Sequence, residues 1–453
     1  MLIASFLLGL ALLQSLSPIF QNHSRTLNKL FNIIVALPFG LTISSVLYFF
    51  ATIVNIPLFI TLIIEATIIT VLYLAIGQKK YKPSPHTANQ SSKTKIYLNI
   101  TQIILILFGI TLAVTATWQF SQRNPYGKWD AWDMWNHKAR ILFYQGNSPI
   151  QRIATETSHP DYPLFQPIII AQLWLSNNQI NTLTPQLLGP TFLGLTALLI
   201  AISLALLRTP FIATASTLLL FASPHFISRA ASQYADNTVA LYMSFALLAT
   251  LLSLKNPQLL ILSGLATGGA MWTKNEGILF AIGLSLAIAL ITFSHNPFKQ
   301  AVKNLAAYFI GLAPFLLCIL MLRFGYNTQN DLTANPDLKH VFDISRHQAI
   351  WRIIPTVLKQ IAPLYIWYIL GLLIITNLLP WRKQQWAERT ICIVPLVIML
   401  IGFYVSYLLT PHELSWHLAN SSDRLLVQLW PMIIIAVAIF IQLPLQPLIN
   451  PQP

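Results

Sequence analysis

The sequence predicts an all-helical protein that crosses a membrane many times. Of its 453 residues, 55% are hydrophobic and only 9% are charged, whereas a typical soluble domain carries roughly 25% charged residues. The apolar residues come in blocks of about 20, the length that a helix needs to cross a hydrocarbon layer roughly 30 Å thick. Composition and block length together exclude a soluble globular protein and a disordered one.

The apolar blocks predict a single integral membrane domain, 1–453, built as a bundle of about 13 transmembrane helices. The stretch 164–176 is too short to cross and is expected to form a re-entrant or interfacial helix. The first block lacks a basic leader and a small-residue cleavage site, which indicates a retained span rather than a signal peptide. The predicted spans are 2–20, 31–50, 54–76, 97–117, 187–207, 210–224, 236–254, 257–273, 275–294, 304–322, 361–380, 390–409 and 426–443.

The basic residues of the short loops predict the orientation. One set of loops carries 14 basic residues and one acid, Glu388, and is expected to be cytoplasmic, with the N-terminus outside and the C-terminus inside. The net charge of +14 is then mainly a topology signal rather than a sign of nucleic-acid binding, which needs a solvated basic surface. The basic residues are Arg25, Lys29, Lys79, Lys80, Lys82, Lys93, Lys95, Arg208, Lys255, Lys299, Lys303, Arg382, Lys383 and Arg389.

The acids gather in the predicted external loops, of which 118–186 is the longest and 323–360 the second. A helix over 128–142 places Asp130, Asp133 and His137 on one face, beside a stripe of tryptophans that includes Trp132. This pattern suits a catalytic carboxylate at the membrane surface. It equally suits an interfacial helix whose aromatic residues lie among lipid headgroups.

Four further external motifs carry charged residues, and each also has a purely structural explanation as a turn, a cap or a snorkelling side chain. The loop 323–360 is expected to bind the acceptor or to act as a lid. Glu65 lies inside the third predicted span without an evident partner. The motifs are HPDYP with His159, Asp161 and Tyr162; SRAASQYADN with Asp236; WTKNEG with Lys274 and Glu276; and PHELSWHLANSSDRLL with His417 and Arg424.

These residue types suit a transfer reaction in which a hydroxyl attacks and a phosphate leaves. A positioned carboxylate accepts the proton of the attacking hydroxyl, and cations stabilise the phosphate as it leaves. Lys274 and Arg424 are the candidate cations, with His159 or His417 as helpers. The histidine spacing shows no metal motif, and both cysteines lie in apolar blocks, so no cofactor is expected, although a divalent metal is not excluded.

The motifs WDAWDMWNHKAR and HPDYPL, followed by the later loops, resemble the bacterial branch of the GT-C glycosyltransferases. That branch is similar to the protein O-mannosyltransferases, the aminoarabinose transferases and the rhizobial lipopolysaccharide sugar transferases. The resemblance covers roughly 100–430. It implies a GT-C-like bundle with a helical first external loop, in the cytoplasmic membrane of a bacterium and with its active site outside.

The resemblance also implies the reaction and the residues. A sugar would pass, with inversion, from a polyprenyl-phosphate donor to a glycan, lipid or protein acceptor, with no nucleic acid involved. The family usually places an Asp-Glu pair in the first external loop, where this chain has Asp130-Ala131 and a second acid at Asp133, so either acid remains a candidate base and Asp130 is favoured by position. Donor phosphate would contact Lys274, Arg424 and His417, and substrate would contact Trp132, His137, Lys138, His159, Asp161, Tyr162, Asp236 and Glu276.

Three other functions remain open. A transporter or flippase of lipid-linked sugars would place ionisable residues near the bilayer midplane, where only Glu65 is evident here. A polymerase or ligase with a lipid-diphosphate donor would carry a late, arginine-rich external loop. A non-catalytic scaffold would tolerate alanine at Asp130.

Overall fold

The computed structural model of the protein describes residues 1–15, 25–78, 98–146, 148–330, 338–378 and 385–441, and this described part consists of helices and connecting turns. Several basic loop residues predicted to be cytoplasmic, and the acids Asp331 and Asp337, lie outside the described residues. The helices are α1 Leu2–Ser15, α2 Arg25–Ile53, α3 Leu58–Gln78, α4 Ile100–Arg123, α5 Asn136–Tyr144, α6 Pro149–Glu156, α7 Phe165–Ser176, α8 Leu183–Leu207, α9 Pro210–Leu220, α10 Pro224–Ala231, α11 Asp236–Ser253, α12 Leu259–Thr273, α13 Glu276–His295, α14 Phe298–Leu320, α15 Ile344–Ile361, α16 Leu364–Leu378, α17 Trp386–Leu409 and α18 Leu414–Phe440.

The prediction of a helical multi-pass membrane protein is confirmed. Each of the 13 predicted stretches contains an α-helix, and the predicted short helix at 164–176 corresponds to α7. In the described part, eight helices are long and apolar enough to cross a membrane, or up to ten if each of two bent helix pairs counts as one span. The exact number of 13 spans stays a prediction.

The centre of the bundle is α11, whose 18 residues are all buried. It packs against α8, α12 and α18. Its neighbour α12 also packs closely against α14. A Cβ on Gly264 of α12 would lie 1.9 Å from the Tyr308 carbonyl oxygen of α14, so a larger residue cannot occupy this crossing. Small residues at helix crossings are typical of packing inside membranes.

The charged residues form two groups, one at each end of the helix bundle. At one end Arg208 donates from Nη1 to Glu388 at 3.2 Å, and its Nη2 donates to the Ile439 carbonyl at 2.9 Å, where α18 ends. Asp236, at the start of α11, lies at the opposite end of the bundle. Charged side chains are thus found at both ends of the bundle, and the helix segments between the two ends are apolar.

Glu65 has a partner within the bundle. The Ser44 hydroxyl donates to Glu65 Oε1 at 2.5 Å, and Gln172 Nε2 donates to the same serine oxygen at 3.2 Å. This chain joins α3, α2 and α7. A carboxyl inside an apolar bundle needs such partners because an isolated buried polar group is costly.

Candidate functional site

A buried carboxylate, Asp236, organises the candidate site. It is fully buried in the first turn of α11, where the positive end of the helix dipole favours a negative charge. Its oxygens accept three hydrogen bonds: from Lys274 Nζ at 2.8 Å, from Arg424 Nε at 3.1 Å and from Gln428 Nε2 at 2.8 Å. One side chain thus ties α11 to α18 and to the turn between α12 and α13.

Lys274 is the deepest cation of this cluster, with only 3% of the residue exposed. Its ammonium also pairs with Glu276 Oε1 at 2.8 Å. Burial lowers the pKa of Lys274, but the charges of Asp236 and Glu276 outweigh burial, so the pKa is raised above its usual value. Lys274 therefore stays protonated and neutralises carboxylates behind the surface of the site.

Arg424 connects this buried cluster to the surface. While its Nε bonds Asp236, its Nη2 pairs with Asp130 Oδ2 at 2.7 Å. Its guanidinium lies 4.4 Å from the centroid of the Tyr234 ring, close enough for a cation–π contact. The Asp130 backbone N–H donates to the Tyr234 hydroxyl at 3.4 Å. The first external loop is thereby docked onto α18.

Asp130 and Arg424 lie on the wall of one cavity of about 620 Å³. This volume is in the range of sites that take small molecules. Its wall mixes aromatic, charged and amide side chains from the first external loop, the α10–α11 connection and the start of α18. The residues that line it include Trp129, Asp130, His159, Tyr162, Arg229, Tyr234, Asn330, His412, Trp416, His417 and Arg424.

Of the two candidate bases, Asp133 lies inside a π-helical turn and Asp130 lies directly before it. The predicted helix over 128–142 is interrupted at Ala131–Trp135, where the Asn136 N–H donates to the Ala131 carbonyl. A π-turn places one more residue in each hydrogen-bonded ring than an α-helix does, so Asp130 and Asp133 do not share a face. Asp133 accepts a hydrogen bond from Ser158 Oγ at 2.6 Å, whereas Asp130 faces the cavity. The expectation of a common face is thus wrong.

Gly127 shapes the turn before Asp130. Its φ is +76°, and a Cβ there would lie 2.4 Å from the Ala131 Cβ. Positive φ is readily adopted only by glycine. The neighbouring Lys128 N–H donates to the Ser232 carbonyl at 3.2 Å, which fixes this turn against the segment before α11.

The HPDYP segment contributes one residue to the structure and two to the cavity wall. Asp161 is buried and accepts hydrogen bonds from the amides of Asn275 and Asn330, both at 2.6 Å. His159 and Tyr162 line the cavity, with their ring centroids 5.7 Å apart. Asp161 therefore holds the loop in place, while His159 and Tyr162 face the cavity.

Lys138 is fully buried, and its ammonium donates to the His159 carbonyl at 2.6 Å. Burial lowers its pKa to about 7, although the charges of Asp161 and Asp133 act in the opposite direction. Three predicted substrate contacts, Trp132, His137 and Lys138, are not among the described residues that line the cavity. Lys138 thus supports the HPDYP loop from behind.

A second cation on the cavity wall, Arg229, was not among the predicted site residues. Its guanidinium pairs with Asp423, and its Nε donates to His225 Nε2 at 3.0 Å. His225 Nε2 itself lies 2.7 Å from Asp423 Oδ2. Arg229 belongs to the SRAASQYADN motif, but Asp423 lies 194 residues away, so no local spacing announces the pair.

Among the described residues, no group of three or more His, Cys, Asp or Glu side chains is arranged to hold a metal ion. No family model, curated protein or solved structure matches the chain.

Proposed function

We propose that the protein is a glycosyltransferase that moves a sugar from a polyprenyl-phosphate donor to an acceptor hydroxyl at this end of the bundle. One observation carries the proposal: a carboxylate, Asp130, and an anchored guanidinium, Arg424, are paired on the wall of one cavity. The motif resemblance to the GT-C enzymes supports the same reaction. The proposed location is the cytoplasmic membrane of a bacterium, with the cavity on the outer side.

The chemistry needs one base and one cation. The acceptor oxygen forms a bond to the anomeric carbon while its proton passes to Asp130, and the bond from that carbon to the phosphate oxygen breaks with its electron pair on the phosphate. Arg424 stabilises the charge on the leaving phosphate. A single displacement of this kind inverts the anomeric configuration.

The ion pair between Asp130 and Arg424 adds an order to the reaction. Arg424 is held by Asp236 through Nε, so only its outer nitrogens are available to a ligand. A donor phosphate that binds these nitrogens competes with Asp130 for them. Donor binding therefore frees the Asp130 carboxylate to act as a base, and the acceptor is expected to react only after the donor has bound.

The remaining polar groups divide between two roles. Arg229 and His417 lie on the cavity wall and are placed to contact the donor or the acceptor. Lys274 lies behind Asp236 and acts as a positioning residue, because its charge keeps the buried carboxylates of Asp236 and Glu276 compensated. Arg424 is then the principal phosphate ligand.

The experiment is a transfer assay on purified protein with a panel of polyprenyl-phosphate sugars, in which release of polyprenyl phosphate is measured. Asp130→Asn should lower the rate at least 100-fold, the usual size of a lost general base. Asp133→Asn is the matched control and should lose far less, since that carboxylate bonds Ser158 away from the cavity. Arg424→Lys should lower the rate roughly 10-fold or more, because lysine has a single nitrogen and cannot hold Asp236 with one nitrogen while it offers another to a phosphate.

Two outcomes would contradict the proposal. The first is no release with any donor from wild-type protein whose fold is verified. The second is release that survives Asp130→Asn and is lost only in Asp133→Asn, which would move the base to the other acid.

A further inference from the structure

A second groove lies beside the cavity, at the start of α18. It has a volume of about 500 Å³ and runs between the first half of α15 and the start of α18. Ala419 lines both the groove and the cavity. The groove is lined by Arg346, Arg352, Ile353, Glu413, Leu414 and Leu418, among others.

The orientation of α15 suits a segment that lies on a membrane surface. It is bent by 100° relative to the apolar segment Leu364–Ile375 that follows it. If that segment crosses the bilayer, α15 lies nearly parallel to the membrane plane. Two apolar residues of this helix, Ile344 and Trp351, have exposed fractions of 70% and 63%, and Phe342 in the turn before it is 86% exposed. Exposed apolar residues on a surface helix are typical of contact with the headgroup and acyl boundary.

The groove lining carries more positive than negative charge, because Arg346 and Arg352 line it with one carboxylate, Glu413. Arg346 is 9% exposed; its Nη2 donates to the Tyr407 and Thr410 carbonyls and its Nη1 to His340 Nδ1 at 2.7 Å, while its buried Nε has no hydrogen-bond partner. Arg352 is exposed and makes no ion pair with another described residue. Glu413 is the carboxylate on the lining, and it accepts hydrogen bonds from the backbone N–H groups that begin α18.

We propose that this groove binds the phosphate headgroup of an anionic membrane phospholipid. Arg352 pairs with the phosphate, as a guanidinium does with particular geometric fit, and Arg346 adds charge and an unpaired donor beside it. The acyl chains extend over Ile353, Leu414 and Leu418 toward the bilayer. This site is independent of the proposed sugar transfer, and its test uses no sugar donor.

The test measures lipid binding to the full-length protein by native mass spectrometry from a neutral detergent. Phosphatidylglycerol is titrated against phosphatidylcholine, and inorganic phosphate is titrated separately. We expect phosphatidylglycerol to bind more tightly than phosphatidylcholine. Its apparent dissociation constant should rise roughly 10-fold in Arg352→Gln, since a hydrogen bond to a charged group is lost, and by less in Arg352→Lys. Lys359→Gln, an exposed change on the same helix outside the groove lining, should leave it unchanged.

Three results would overturn the proposal: equal affinities for the two lipids in wild-type protein, an unaltered phosphatidylglycerol affinity in Arg352→Gln, or equally tight binding of inorganic phosphate, which would indicate a site for soluble anions. If Arg352→Gln fails to fold, Arg352→Lys decides. It keeps the charge but not the paired geometry, so an affinity equal to that of wild type would count against a phosphate contact at Arg352.

Discussion

Lys138 gives the protein a pH-dependent stability that can be worked out from its surroundings. The ammonium is fully buried beneath the HPDYP loop, and burial lowers its pKa from 10.5 to about 7. In an unfolded chain this lysine titrates near its ordinary value. Between these two pKa values the unfolded state therefore binds more protons than the folded state, so the free energy of unfolding rises as the pH rises.

The size of the effect follows from the two pKa values. Each unit of pKa difference corresponds to about 1.4 kcal/mol. At pH 7 the folded protein holds roughly half a proton on Lys138, and at pH 9 almost none, so Lys138 should contribute about 2 kcal/mol of added stability over this interval. Lys138→Met removes this contribution and one hydrogen bond to the His159 carbonyl, which also accepts from the Tyr162 N–H at 3.1 Å.

The assay compares unfolding of wild type and Lys138→Met in mixed micelles of increasing sodium dodecyl sulfate fraction, at pH 7, 8 and 9. As the pH rises from 7 to 9, the free energy of unfolding of the wild type should increase by about 2 kcal/mol relative to that of Lys138→Met. Other titrating groups cancel because they are the same in both proteins. Arg140→Met, an exposed change on the same helix, is the control. Its offset should not vary with pH, since a guanidinium stays charged. A constant offset for Lys138→Met would refute the reasoning.

Two further substitutions test the architecture of the site. Asp236→Asn should lower the free energy of unfolding by about 3–5 kcal/mol, because an amide presents a donor to buried cations, whereas the exposed helix cap Asp343→Asn should cost at most about 1 kcal/mol; equal costs would contradict the buried network. Gly127→Ala should reduce sugar transfer, because the new Cβ meets Ala131 at 2.4 Å and the residue keeps a φ of +76°. Gly146→Ala, where the nearest atom is 3.8 Å from the new Cβ, should transfer at the wild-type rate, and a loss there would indicate a general effect of loop substitution.

The helices could be read from the sequence because the bilayer imposes their length. The central helix was predicted at 236–254 and runs over Asp236–Ser253, and the short helix predicted at 164–176 runs over Phe165–Ser176. Long apolar blocks bounded by polar turns leave little choice of limits. Ends with mixed composition were less accurate: the second helix runs over Arg25–Ile53 rather than 31–50.

The meeting of Asp130, Asp236, Lys274, Glu276 and Arg424 was also foreseeable. Charged side chains are expensive inside a bilayer, so those at one end of a bundle gather near each other whatever the order of the helices. The divergence of Asp130 and Asp133 was not foreseeable, since it depends on one π-turn. Such a turn has no residue pattern of its own, and it forms where packing against neighbouring segments favours it.

The roles of the two predicted cations show what charge patterns in a sequence leave open. Lys274 follows the last residue of α12, Arg424 lies inside the first half of α18, and both pair with Asp236. The two cations differ in how deeply their side chains are buried. A lysine offers a single ammonium group, and in Lys274 that group is committed to two buried carboxylates. Arginine presents several donors in a planar fork, so Arg424 holds Asp236 with one nitrogen and presents another to Asp130 and the cavity. This geometry lets Arg424 join a buried anchor to an exchangeable ligand, and for this reason Arg424, rather than Lys274, is the proposed phosphate ligand.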